Sequence, residues 1–199
     1  MINVGIIGYG YWGPNLVRNF NDTDGINVAW AADIDENKLK LVKSRYPSTE
    51  VSKNPDEVIK SSNVDAIAIA TPVSTHFDLA LRALQAGKHV LVEKPMAATS
   101  EQCEQLIDEA DKRKLILMVD HTFPYTGAVT KIKELIDENH LGEIYYFDSV
   151  RVNLGLFQHD VNVIWDLAVH DFSILDFLFD EKPTGVSATG IAHINDQPE

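Results

Sequence analysis

Ile2-Asn3-Val4-Gly5-Ile6-Ile7-Gly8-Tyr9-Gly10-Tyr11-Trp12-Gly13 decides the fold. A short, largely apolar run ending in glycine suits a strand buried on both faces. The glycines that follow it have the spacing of a dinucleotide-binding turn, and Gly13 opens a helical pattern through Asn21, with Leu16, Val17 and Phe20 at helical spacing. In such a turn Gly8 permits the tight bend, Gly10 lets a pyrophosphate approach the backbone, and Gly13 allows close helix–strand packing. The helix N-terminus would then present free N–H groups and a positive dipole end to the phosphates. A strand over Ile26–Ala32 ends at Asp33, twenty residues after Gly13. A carboxylate there accepts hydrogen bonds from the adenosine ribose and repels a 2′-phosphate, so NAD is expected rather than NADP.

Downstream, strands and helices alternate. Helices are expected over Glu36–Tyr46, Asp56–Ser61, Phe77–Gln85 and from the Thr99/Gln102 capping pattern to Lys114. Strands are expected over Ala66–Ala70, Val90–Glu93 and Leu115–Val119. This order implies an α/β fold with a doubly wound parallel sheet. The character changes near His121: a helix over Ala128–Asn139, a long strand over Glu143–Asn153, a loop at 155–161, an amphipathic helix over Ile164–Phe179 and a strand over Thr184–Ile194. The expected organisation is a Rossmann domain over 1–122, then an incomplete α+β sheet domain over 123–199.

Composition narrows the function. The 199 residues carry a net charge of −13, with 17 basic against 30 acidic side chains, which argues against nucleic-acid backbone binding. Cys103 is the single cysteine, so no internal disulfide or cysteine-based zinc site is expected. No apolar run approaches a bilayer-spanning length and no secretory leader is evident, which points to a soluble cytoplasmic protein.

Three further signatures carry chemistry. Ala70-Thr71-Pro72 lies at the carboxyl end of a strand, where open α/β sheets bind ligands, and His76 follows it as either a helix cap or a site residue. Glu93-Lys94-Pro95 ends another strand on the same edge, where an ordinary exposed salt bridge is the simpler alternative. A lysine beside a cationic nicotinamide would have its ammonium form disfavoured, which suits a general acid or base. Asp166 and His170, four apart on an expected helix, share a face. They could form an ion pair, or a metal site for which no third ligand is evident.

The order of these signatures resembles the Gfo/Idh/MocA family of NAD(P)-dependent sugar oxidoreductases. The resemblance implies that Lys94 is catalytic, that His170 is the proton shuttle and that Asp166 orients substrate or histidine. It lays Thr71, Pro72 and His76 along the nicotinamide half of the cofactor, and implies further cofactor contacts from Tyr11, Trp12, Ile34, Glu93, Lys94 and Trp165. His121 and Arg151 are weaker substrate candidates, Arg151 being equally suited to a solvated sheet face. Asn162-Val163-Ile164-Trp165 stands where many relatives are glycine-rich, which implies a bulkier wall.

The implied reaction is oxidation of a secondary alcohol of a sugar, with Lys94 or His170 as the base. The opening turn and Trp165–Asp171 look most like enzymes of nucleotide-linked sugars oxidised at C3, in cell-surface glycan pathways. A myo-inositol or free-sugar dehydrogenase is the alternative, and a non-catalytic NAD-binding sensor is the alternative of another class. The resemblance further implies a truncated second domain and a homo-oligomer formed through its sheet.

Overall fold

The computed structural model describes residues 1–152 and 161–191, which divide into two compact units, Met1–Asp120 and His121–Glu199. In the first unit six strands, β1 (Ile2–Ile7), β2 (Ile26–Ala32), β3 (Glu50–Ser52), β4 (Ala66–Ile69), β5 (His89–Val92) and β6 (Leu117–Val119), form one sheet. All pair in parallel, in the order β3-β2-β1-β4-β5-β6. The connecting helices are α1 (Gly13–Asn21), α2 (Glu36–Arg45), α3 (Pro55–Lys60), α4 (His76–Gln85) and α5 (Ser100–Arg113). The order reverses between β1 and β4, so the ligand crevice of this fold lies beyond the carboxyl ends of those two strands.

Side-chain alternation builds a core on each face of the sheet. Ile67, Ile69, Val90 and Val92 point to one face and meet Val58 and Ile59 of α3, Ala80, Ala83 and Leu84 of α4, and Leu106 of α5. Val4, Ile6, Val28 and Ala68 point to the other and meet Val17 of α1 and Val42 of α2. Each fully buried aliphatic side chain contributes roughly 1.5–3 kcal/mol. Cys103 packs beside the first of these cores, and burial raises its thiol pKa, as befits a small apolar filler.

The helix caps separate structural ends from open ones. Asp35, Asn54 and Thr99 accept from the first-turn N–H groups of α2, α3 and α5. Such caps stabilise by about 1 kcal/mol each. α1 and α4 receive no side-chain cap, and they are the two helices that follow β1 and β4.

In the second unit a turn at Phe123–Tyr125 precedes α6 (Gly127–Asp137), and a wide π turn at Ile164–Ala168 leads into α7 (Val169–Leu178). The expected helix from Ile164 is therefore two structures in series. The strands expected over Glu143–Asn153 and Thr184–Ile194 carry no ladder in their described parts, 143–152 and 184–191. Alternation marks which side of a strand would be buried, but a ladder needs a partner strand, and the described residues of this unit provide none. Tyr145 and Tyr146 accordingly stand exposed. Residue 161 is described at the end of the expected 155–161 loop, while 155–160 lie outside the described residues, as do Asn153 and 192–194. Among the described residues no helix is long and apolar enough to cross a membrane, and no group of three acidic, histidine or cysteine side chains could hold a metal ion.

Candidate functional site

One line of backbone organises the first unit's carboxyl edge. The N–H of the first residue past a strand donates to the last carbonyl of the neighbouring strand five times over. Asp33 donates to Ser52, Gly8 to Ala32, Ala70 to Ile7, Glu93 to Ile69 and Asp120 to Val92, at 2.8–3.3 Å. The glycine turn, Asp33, the Thr71 segment and Glu93-Lys94 thus start from one hydrogen-bonded row.

The glycine turn divides its duties as the sequence implies. Gly8 has φ +99°, and a Cβ there would lie 2.4 Å from the Ala70 carbonyl oxygen, while one on Gly13 would lie 2.3 Å from the Gly8 oxygen. Both are required by the protein's own packing. Gly10 differs: its φ is ordinary and a Cβ would meet nothing within 4 Å. Space kept open at a glycine the fold does not demand fits the close approach of a pyrophosphate, and uncapped α1 has no acidic residue in its first turn to oppose an anion.

Asp33 is fixed before any ligand arrives. Its Oδ2 accepts from the Tyr9 N–H at 2.7 Å and lies 3.5 Å from Lys38 Nζ, and its Oδ1 accepts from the Asp35 N–H at 2.8 Å. The carboxylate retains further lone pairs for ribose hydroxyls. Beside it Ile34 is 88% exposed, and Tyr11 and Trp12 are exposed on the glycine turn, so three large apolar side chains stand uncovered on the loops after β1 and β2. These features fit a bound NAD.

After β4, Pro72 is exposed and Thr71 half-buried, with the Thr75 hydroxyl donating to Thr71 Oγ1 at 2.7 Å. His76 lies inside, 1% exposed. Its Nε2 is 2.8 Å from the Thr71 carbonyl oxygen and its Nδ1 is 2.9 Å from that of Pro95.

After β5 and β6 two carboxyl groups meet. Glu93 is 9% exposed. Burial first, then the adjoining Asp120 carboxylate and its hydrogen bond, push the Glu93 carboxyl up to about 7, against the lowering effect of Lys94. A group that holds its proton near neutrality therefore adjoins the half-buried Lys94, and this edge can store or release a proton around physiological pH. Asp120 was not singled out from the sequence. The signal was present, since it is a carboxylate directly after an apolar strand, as Asp33 is.

The second unit holds its own cluster. His170, at the start of α7, meets Phe123 edge-on with ring centroids 4.8 Å apart, and the Arg151 guanidinium lies 4.8 Å from the same ring centroid. Arg151 donates to both Asp171 oxygens, at 2.9 and 3.2 Å, and the Ser149 hydroxyl adds a bond of 2.8 Å. The Arg151 guanidinium thereby holds the Asp171 carboxyl below the usual carboxylate range, with lesser help from Ser149 and His170. Arg151, the substrate candidate, is thus engaged by Asp171, the residue after His170.

Asp166 and Trp165 sit on the π turn, where the Trp165 N–H is held by Asn162 Oδ1 at 3.0 Å. The expected Asp166–His170 register presumed α-helical pitch, and the wide turn alters that pitch between them. His121 is half-buried and directly follows Asp120.

Comparison with known proteins agrees with this edge. Residues 2–121 match the oxidoreductase family with the NAD-binding Rossmann fold, and residues 129–199 match the GFO/IDH/MocA C-terminal domain. The uncharacterised oxidoreductase YdgJ of Escherichia coli is 38% identical over 74% of this chain and 42% of its own length. The inositol 2-dehydrogenase of Azotobacter vinelandii is 29% identical over 98% of this chain and 61% of its own. A solved NAD-binding protein from Listeria innocua superposes with a TM-score of 0.77 at 28% identity, covering 90% of this chain and 55% of that one. The chain spans about half the length of the curated relatives it matches. Several relatives are named for inositols rather than for nucleotide sugars, so the finer substrate expectation gains no support from them. With both units matched, and a sheet edge whose glycine turn and Asp33 fit the dinucleotide, the chain belongs to the Gfo/Idh/MocA family of NAD-binding oxidoreductases.

Proposed function

We propose that this protein oxidises a secondary alcohol on a polyhydroxylated ring. The observation that carries the reading is the Glu93–Lys94–Asp120 group, a proton store on the edge that also bears the glycine turn. NAD, when bound, accepts the hydride. Gly10 and the start of α1 hold its pyrophosphate and Asp33 its ribose, with Tyr11, Trp12, Ile34, Thr71, Pro72 and Trp165 lining it. Lys94 or His170 takes the hydroxyl proton, His170 passes it onward, and Asp166 orients the substrate or the histidine.

The ring is an inositol or a free sugar on the strength of the relatives' names. The second reading, a nucleotide-linked sugar oxidised at C3, is favoured by Gly8–Gly13 and Trp165–Asp171. The exposed Tyr145 and Tyr146 support self-association, which sedimentation would test.

The test offers inositols, free sugars and UDP-sugars with NAD or NADP and follows absorbance of the reduced nicotinamide. One substrate class is expected to turn over with NAD. Lys94→Met should lower kcat about 10²–10⁴-fold, the usual worth of a general acid–base group, with NAD affinity kept within about threefold. Tight NAD binding with no turnover across the panel would favour a sensor.

A further inference from the structure

His76 stands apart from the other residues of the ligand edge because it faces inward. At 1% exposure its ring is among the most buried side chains of the chain. Both of its nitrogens sit at hydrogen-bond distance from backbone carbonyl oxygens, Thr71 on one side and Pro95 on the other. A carbonyl only accepts, and a neutral imidazole has a single N–H to give. The neutral ring would satisfy one of these oxygens and turn a lone pair on the other at under 3 Å. The doubly protonated ring would satisfy both, and two charge-assisted bonds to carbonyls would offset part of the desolvation that burial of a cation costs.

The two carbonyls belong to different connections. Thr71 lies in the turn after β4 and Pro95 in the turn after β5, directly following Lys94. Those turns leave neighbouring strands at the edge where the backbone row fixes Ala70 and Glu93. Beyond that row the His76 ring is a bond between them made by a side chain.

We propose that His76 is a positioning residue that donates from both ring nitrogens and clamps the turn after β4 to the turn after β5, holding Lys94 in place without touching the cofactor. Its consequence for turnover rests on the function proposed above; the clamp itself does not.

The experiment has two arms on the full chain. In the first, ¹⁵N chemical shifts of the His76 ring at pH 7.5 are expected to report protons on both nitrogens, and a ring with one bare nitrogen would overturn the proposal. In the second, His76→Phe keeps the volume and removes both donors, whereas His76→Gln restores two N–H donors on one amide. For His76→Phe, kcat is expected to fall about 100-fold, since displacement of a reacting group by about 1 Å costs that much. NAD affinity should stay within about threefold, and His76→Gln should recover at least about tenfold of the lost kcat. An NAD affinity that falls as far as kcat would mean a direct cofactor contact, and unchanged kcat would mean no positioning role; either overturns the proposal. If His76→Phe does not fold, the Gln variant and the ring shifts decide. If the wild type turns nothing over, the proposed function fails while the first arm still judges the clamp.

Discussion

Glu93→Gln isolates the proton held at the ligand edge. In the folded protein the carboxyl titrates at about 7, against an ordinary 4.5. A tenfold change in proton affinity is worth about 1.4 kcal/mol, so full ionisation of the buried group costs at most about 3.5 kcal/mol. Sharing of the proton with Asp120 and the slight exposure of the site bring the working value to about 2–3 kcal/mol. The sign follows from the direction of the displacement. Between pH 4.5 and 7 the folded chain binds more protons at this position than the unfolded chain, so its contribution is complete below pH 4.5 and is lost as pH rises through 7.

Glutamine keeps the shape and cannot ionise. Urea unfolding of both proteins, followed by the fluorescence of Trp12 and Trp30 at intervals from pH 4.5 to 8.5, gives the stability difference as a function of pH. Subtraction removes the other titrating groups, including general repulsion from the net charge of −13. The difference should move by about 2–3 kcal/mol in favour of Glu93→Gln across that range. A difference constant to within about 0.5 kcal/mol would refute the reasoning.

Three other substitutions probe the remaining elements. Gly10→Ala should leave stability within about 0.5 kcal/mol while weakening NAD binding at least about tenfold, whereas Gly8→Ala should cost about 3 kcal/mol or more through its positive φ and the Ala70 oxygen; thermal unfolding and cofactor titration read the two effects. Arg151→Met should destabilise the second unit by about 1–2 kcal/mol at pH 7 and by progressively less as pH falls below the usual carboxylate range, because Asp171 is then protonated with or without its partner; Trp165 fluorescence during unfolding checks this.

Five strands were legible because each is an apolar run closed by a glycine, a charge or a proline. β3 was not: Val51 is its single apolar residue, and it exists by pairing with the Trp30–Ala32 edge of β2. The glycine turn, Asp33 and Glu93-Lys94 were legible because their chemistry is local to a strand end. The inward burial of His76 was not legible, since its two carbonyls come from residues five and nineteen positions away. The wide turn at Ile164–Ala168 leaves no mark in the spacing of apolar residues. The alternation in 143–152 recorded a face to be covered and said nothing of what would cover it.

The row of five amides along the carboxyl edge acts as a ruler. Strands stand roughly 4.8 Å apart, so the positions of Asp33, Gly8, Ala70, Glu93 and Asp120 are graduations across roughly 19 Å, set by backbone and not by side chains. Chemistry can then be exchanged by a point substitution at the marks other than Gly8, because the neighbouring marks do not move with it. Evolution on such a scale alters which group stands at a position far more readily than how far apart two groups stand.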